Sequence, residues 1–274
     1  MLFSIITITK NNLGGLEKTA ESLREQSFQA FEWIVIDGAS TDGTPAWAHE
    51  NIMAGQFHSA PDNGLYDAMN KGIEAAQGFY ILFLNAGDRL ADPGTLENIA
   101  SYLQDVQETP DFIYGDALED RTTPLPPAYK PARPYKKAAR GMFTHHQAML
   151  YRNDRLATLR YDQSFRIAAD YKFTLAYLQQ ADTVLYCPFP LCLFEKDGLS
   201  QQQSAAGRRE QYQIRKDMAL VSPAHNMLIT GLQGLASAVK KIMPGIYWQL
   251  RSSGNNPAAS TPSATPPRHP ENRS

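Results

Sequence analysis

Three stretches of this chain are apolar without polar alternation: FSIITIT from Phe3 to Thr9, EWIVID from Glu32 to Asp37, and YILFL from Tyr80 to Leu84. Runs of this kind suit strands buried on both faces, and such strands need helices above and below the sheet. Helical patterning lies between them. It covers about 15–25, then 44–51 after the N-cap chemistry of Ser40-Thr41-Asp42, and then 65–76, where Met69, Ile73 and Ala76 share one face. A short extended piece is expected at 57–59. The alternation predicts a three-layer α/β/α domain with a mostly parallel central sheet.

Composition narrows the function classes. At 274 residues and 43% hydrophobic the chain can bury a sizeable core, which excludes disorder throughout. Its 26 basic and 28 acidic residues leave a formal charge of −2, so there is no overall basic field to capture nucleic acid. The two cysteines, Cys187 and Cys192, have neither metal-ligand spacing nor the density of a disulfide scaffold, which fits a reduced, cytoplasmic compartment. The opening MLFSIITITKNN reads as a first strand, since it lacks a basic n-region and a small-residue cleavage site. No stretch reaches the roughly 18 apolar residues of a membrane span.

The second half is less regular. A strand is expected at 111–114. The Pro-rich and charged stretch 115–141 is too long for a simple connection and reads as a functional loop. A helix at 168–180 and strands at 184–186 and 191–194 follow, and the chain is helical again beyond Ser204. Leu228, Leu232, Leu235, Val239 and Ile242 form an apolar stripe at helical spacing, with Lys240 and Lys241 near its end. The tail 252–274, rich in Pro, Ser, Asn and Ala, is expected to be disordered. The organisation is therefore a catalytic domain over 1–220, an amphipathic helical extension over 221–251 and the tail.

Ligands of such sheets gather beyond the carboxyl ends of the strands. Thr9, Asp37 and Asp88 each follow a run at that end, so one cleft can collect all three. Each Asp alone would more often be a turn or N-cap residue; the pair together points to a site.

The stretches FSIITITKNN, WIVIDGASTDGT, DNGLYDAMNKGIEAAQGFYILFLNAGD and AADYKF, in that order from Phe3 to Phe173, resemble the inverting GT-A glycosyltransferases of family 2. The likeness is greatest to the bacterial enzymes of exopolysaccharide, colanic-acid-like and O-antigen assembly. It implies a Rossmann-like nucleotide-diphospho-sugar transferase fold. It also implies transfer of a sugar from a nucleotide-diphosphate donor to a saccharide or polyprenyl-diphosphate-linked acceptor in surface polysaccharide synthesis. Placement at the cytoplasmic face of the membrane follows, with Mg²⁺ or Mn²⁺ as cofactor.

Residue by residue, the resemblance gives Thr9, Asn11 and Asp37 to the nucleoside and Asp62, Asn70 and Lys71 to further donor contacts. Lys71 is equally readable as a solvated helix charge. Asn85 is expected near a ribose hydroxyl. Asp88 is the expected metal anchor, because hard divalent ions favour oxygen ligands and neutralise a departing diphosphate. Of His145 and His146, adjacent residues that face opposite ways on a strand, one is expected in the cleft, and His146 is taken as the donor contact. Asp170, at a helix start, is the expected general base; without the resemblance it reads as a first-turn Asp favoured by the helix dipole.

Two departures stand out. The family commonly has Asp-X-Asp or Asp-Asp where this chain has NAGD, and Ala169 replaces the Glu of its Glu-Asp pair. They leave two alternatives to the enzyme reading. One is a nucleotide-sugar or carbohydrate-binding subunit with a weakened metal site. The other is a nucleotidyltransferase of similar fold, which TITKNNLGG matches poorly. The basic loop YKPARPYKKAAR is expected over the diphosphate or at a lipid head group, or simply solvated. The apolar stripe is expected on a membrane surface, on the catalytic domain or on a partner chain.

Overall fold

The computed structural model describes residues 1–53, 56–120, 126–195 and 204–242. The expected tail 252–274 and the end of the expected extension lie outside them. The chain divides into two compact units, Met1–Pro223 and a second beginning at Ala224.

The first unit is built on β1 (Phe3–Thr9), α1 (Leu13–Arg24), β2 (Phe31–Asp37), α2 (Thr44–Asn51), β3 (Phe57–Ser59), α3 (Leu65–Ala75) and β4 (Tyr80–Phe83). It continues with β5 (Arg89–Leu90), α4 (Thr95–Asp105), β6 (Phe112–Glu119), β7 (Ala128–Lys130), β8 (Met149–Arg152), α5 (Ala169–Leu178), β9 (Val184–Phe194) and α6 (Ser204–Asp217). The sheet order is β3-β2-β1-β4-β8-β6-β9-β5, with β7 beside β6.

β1 explains its own sequence. It lies between β2 and β4 and is buried along its whole length. Its side chains divide between two cores. Ile6 and Ile8 join Met69 and Ile73 of α3 and the aromatic residues of α5 on one face, whereas Phe3 and Ile5 join Leu23 of α1 and Leu96 and Ile99 of α4 on the other. Each such buried side chain contributes roughly 1.5–3 kcal/mol. Three layers therefore form, as the alternation predicts.

Parallel pairing holds for β1 with β2 and β4, β2 with β3, and β6 with β9. β8 runs antiparallel to both β4 and β6, and β5 and β7 add antiparallel edges. This mixture has a consequence for the site. Because β8 opposes β4, the residues just before Met149 overhang the carboxyl end of β4.

Several elements depart from the sequence expectations. α4 was not anticipated, although Leu96, Ile99 and Ala100 are buried at helical spacing. The two expected strands at 184–186 and 191–194 are one strand, β9, whose register against β6 shifts around Asp116, where Pro188 and Pro190 interrupt the regular pattern. The expected loop 115–141 contains the second half of β6, β7 and a 3-10 helix at Tyr135–Arg140.

The helix α7 begins at Pro223, the last residue of the first unit, and runs to Ile242 in the second. Leu228, Leu232 and Leu235 of the expected stripe are exposed on it, as is Met227. Among the described residues, no helix is long and apolar enough to cross a membrane.

Candidate functional site

The parallel register sets Thr9, Asp37 and Ser59 in one row across β1, β2 and β3. Asp37 is fully buried. Its carboxylate accepts hydrogen bonds from the Ser40 backbone N–H (3.0 Å), the Ser40 hydroxyl and the Ser59 hydroxyl (2.6 Å). Asn11, at a left-handed φ of 50°, accepts from Thr41 N–H through Oδ1 and donates its own N–H to Ser40 Oγ, each at 2.7 Å. The loops after β1 and β2 are thereby tied together. Asp62 closes the same corner. Its Oδ1 accepts from Gly64 N–H at 3.0 Å, and its Oδ2 lies so near Gly38 that a side chain at 38 would collide with it.

Beyond β4 the chain keeps pairing with β1, through Leu84 N–H to Ile6 O and Ala86 N–H to Ile8 O, and then turns at NAGD. Helix α1 fixes that turn. Asn12, which caps α1 at Gly15 N–H, donates to Ala86 O at 3.2 Å, while Thr19 donates to Asp88 O at 2.7 Å and accepts from Gly87 N–H at 3.1 Å. Asp88 is only 5% exposed. Gln147 Nε2 donates to its Oδ2 (2.7 Å) and Glu195 N–H to its Oδ1 (3.1 Å). Burial pushes its pKa up to about 7, with the nearby Glu195 charge adding to the rise and those two hydrogen bonds opposing it.

The segment overhanging β4 is a 3-10 helix, His146–Ala148. It sends the two histidines apart. His145 stacks on Phe194 with ring centroids 4.4 Å apart and meets Glu119 at 3.1 Å, beside Lys130. His146 sits between Asn85, whose amide nitrogen is 3.4 Å from Nε2, and Asp170, whose Oδ2 is 3.9 Å from Nδ1. Burial, then the neighbouring His145, lowers the His146 pKa to about 4, so the ring is neutral at pH 7.

Asp170 lies in the first turn of α5, its Oδ1 accepting from Tyr171 N–H at 2.8 Å. Burial raises its pKa to about 6, with the charge of Glu210 contributing and backbone N–H groups opposing. Glu210 reaches from α6 to take the N–H groups of Arg166, Ile167 and Ala168 at 2.8–3.0 Å, which fixes the entry to α5. A carboxylate with a pKa near the working pH, beside a neutral imidazole, is suited to taking a proton.

Thr9, Asn11, Asp37 and Asp62 thus share one corner beyond β1 and β2, and Asn85, His146 and Asp170 lie in a row beside the turn that carries Asp88. Asn70 and Lys71 go elsewhere. The Asn70 amide exchanges two hydrogen bonds with the Tyr161 backbone (3.0 and 2.7 Å), and Lys71 pairs with Asp67 at 3.0 Å and Pro61 O at 3.1 Å. Both line a hollow of about 630 Å³ against Arg160–Ser164, whose lining includes none of the strand-end residues. The sequence expectation also omitted Gln147, Glu195 and Glu210. Gln147 was legible as a polar residue between His146 and an apolar run; the other two carry no local signal.

Three buried polar atoms at these strand ends have no hydrogen-bond partner among the described residues: Thr9 Oγ1, Asn85 Oδ1 and Gln147 Oε1. Unpaired polar atoms are costly unless something meets them. No group of three or more His, Cys, Asp or Glu able to hold a metal occurs among the described residues. The donors present at Asp88, Asn85 and Gln147 are nonetheless all oxygens, the set that Mg²⁺ and Mn²⁺ select, so a hard divalent ion fits them.

The chain is similar in sequence and fold to known proteins. The sequence model of the family described as Glycosyl transferase family 2 matches residues 4–159, more than half the chain. A PGL/p-HBAD biosynthesis glycosyltransferase of Mycobacterium bovis is 33% identical over 181 residues, covering 64% of this chain and 68% of its own. A glycosyltransferase of Mycobacterium tuberculosis is 34% identical over 211 residues, covering 73% and 77%. Among solved structures, S. aureus TarS in complex with UDP-GlcNAc matches with a TM-score of 0.63 at 18% identity, over 84% of this chain and 70% of its own. The mannosyltransferase of Pyrobaculum calidifontis in complex with GDP-Man and Mn²⁺ gives 0.59 at 16% identity, over 92% and 79%. These two likenesses concern the fold.

Proposed function

This chain belongs to glycosyl transferase family 2, and from that premise we propose that it moves a sugar from a nucleotide-diphosphate donor to a saccharide or lipid-linked acceptor hydroxyl, with inversion, in bacterial polysaccharide or glycolipid synthesis. The observation that supports the reading most is that Asp37 ends β2 and Asp88 follows β4, strands that flank β1 in parallel and end on one edge of the sheet, while Asp170 lies 3.9 Å from His146 beside Asn85. The names of the mycobacterial relatives and the nucleotide sugars in the fold neighbours support it.

Each part of the cleft has a task. Thr9, with its unpaired hydroxyl, and Asp37 flank the nucleoside, and Asp62 borders the same corner. Asn85 faces the ribose or the diphosphate. Asp88, with the side-chain amide oxygens of Asn85 and Gln147, would hold Mg²⁺ or Mn²⁺. When bound, the ion supplies Lewis-acid neutralisation of the charge on the departing diphosphate.

Asp170 accepts the proton of the acceptor hydroxyl. The acceptor oxygen bonds to the anomeric carbon as that carbon's bond to the diphosphate oxygen breaks, and the nucleoside diphosphate leaves on the opposite face. Direct displacement inverts the configuration. His146, neutral, in contact with the Asn85 amide and 3.9 Å from Asp170, orients the sugar between the two substrates. In this reading residues 1–220 are the catalytic domain, and the apolar stripe on α7 makes a peripheral contact with the inner face of the cell membrane.

The test is transfer from a panel of nucleotide sugars to polyprenyl-diphosphate-linked and soluble saccharide acceptors, with Mg²⁺, Mn²⁺ or chelator. Release of a nucleoside diphosphate that requires acceptor and yields an inverted linkage is expected. Binding of a nucleotide sugar with no transfer to any acceptor would favour a binding subunit.

A further inference from the structure

The NAGD turn holds one carboxylate, and the structure brings a second to it from 107 residues away. Glu195 follows β9, whose parallel pairing with β6 carries it to the edge where β4 ends. Its backbone N–H donates to Asp88 Oδ1 at 3.1 Å. Its side chain lies over Gly87, which has a φ of +106°; a Cβ built there would overlap Oε2 and come 3.2 Å from Cδ. The carboxylate of Glu195 therefore occupies the space that a side chain at position 87 would enter.

Glu195 Oε1 is held by Lys18 at 2.6 Å, and Oε2 is the oxygen turned to the NAGD turn. A second, independent feature marks this place for a cation. Gln147 is 2% exposed, its Nε2 fixed on Asp88 Oδ2, so the amide nitrogen is committed to the carboxylate while Oε1, beside it, has no partner among the described residues. Asn85 Oδ1, three residues before Asp88, is unpaired in the same sense. Two carboxylates and two amide carbonyls make an all-oxygen set, with no thiol or imidazole required.

We propose that Glu195 acts with Asp88 as the second acidic ligand of a divalent-cation site, taking the place of the carboxylate that the NAGD turn lacks. The inference rests on the metal-assisted reading above. Lys18 neutralises Glu195 while no ion is bound, and its charge opposes the entry of one.

The test titrates Mn²⁺ into the full-length chain, with and without UDP, reading free ion by electron paramagnetic resonance. Circular dichroism checks folding. Glu195→Gln and Asp88→Asn should each weaken Mn²⁺ binding at least about tenfold, the lower end of what even outer-shell partners of a metal are worth. Lys18→Ala should bind Mn²⁺ as tightly as the unaltered chain or more tightly. A folded Glu195→Gln protein that binds Mn²⁺ normally while Asp88→Asn has lost it would overturn the role of Glu195 and leave the metal reading intact. An unaltered chain that takes up no Mn²⁺ with or without UDP would overturn the metal reading itself.

Discussion

Replacing Asp170 by Asn should make the protein slower and more stable at once. Burial raises the Asp170 pKa from the ordinary 3.8 to about 6. A raised folded-state value means that the native protein holds a proton the unfolded chain has already lost. Stability therefore falls as pH rises from about 4 through about 6, and above that the full cost is present. At about 1.4 kcal/mol per tenfold, the cost is about 3 kcal/mol. Asn keeps an oxygen for Tyr171 N–H and carries no charge, so it removes the cost. Domains of this size gain about 2–4 °C per kcal/mol, so the variant should melt about 6–12 °C higher at pH 8 and show no advantage near pH 4. Turnover, by contrast, should drop roughly 10²- to 10⁴-fold, the usual worth of a general base. Donor affinity should hold, because the proton comes from the other substrate. The assays are thermal melts between pH 4 and 8, single-turnover transfer at saturating donor, and calorimetric donor binding. Normal turnover would remove Asp170 as base. A melting difference independent of pH would refute the electrostatic argument even if activity were lost.

Two further predictions address the ends of the chain's chemistry. Asp37→Ala leaves the Ser40 N–H and two hydroxyls without their acceptor, so it should cost about 1–3 kcal/mol of stability; it should weaken nucleotide affinity in calorimetry while single-turnover rates at saturating donor change little, and the opposite split would reject its place at the nucleoside. Leu232→Gln with Leu235→Gln changes two exposed side chains, so the folded protein should lose co-sedimentation with anionic vesicles; unchanged binding would dismiss the stripe as a membrane contact.

The N-terminal half was legible because strand burial and strand order coincide there. FSIITIT and EWIVID are apolar because β1 and β2 are covered on both faces, and parallel neighbours must place their carboxyl ends on one edge. Thr9 and Asp37 follow directly. α4 was missed because Thr95–Asp105 is only modestly apolar and follows a turn, and β9 was split because its prolines look like an end when they mark a register shift. Strand alternation, the expected reason for the two histidines to part, does not apply, because His146 opens a 3-10 helix. His146 lies between Asn85 and Asp170 while His145 does not, and the divergence comes from a 3-10 helix and from Glu119 and Phe194 capturing His145. Asn70 looked like a ligand residue from its motif; burial and the Tyr161 backbone give it a different task.

Glu195 shows what linear motifs leave out of such a site. Counted along the chain, the turn after β4 has one acid where its relatives by resemblance have two, and the shortfall suggests a weakened enzyme. Counted in space, a carboxylate stands where that side chain would have been, delivered by a different strand. The two arrangements exclude one another, since a side chain on Gly87 would displace Glu195, and a φ of +106° disfavours any side chain there in any case. Gly87 is therefore better understood as the residue that admits Glu195 than as a lost acid. What the proposed cation site would require is negative oxygen at a point. Because β6 and β9 are parallel and end on the same edge as β4, the fold can meet that requirement from either side of the sheet.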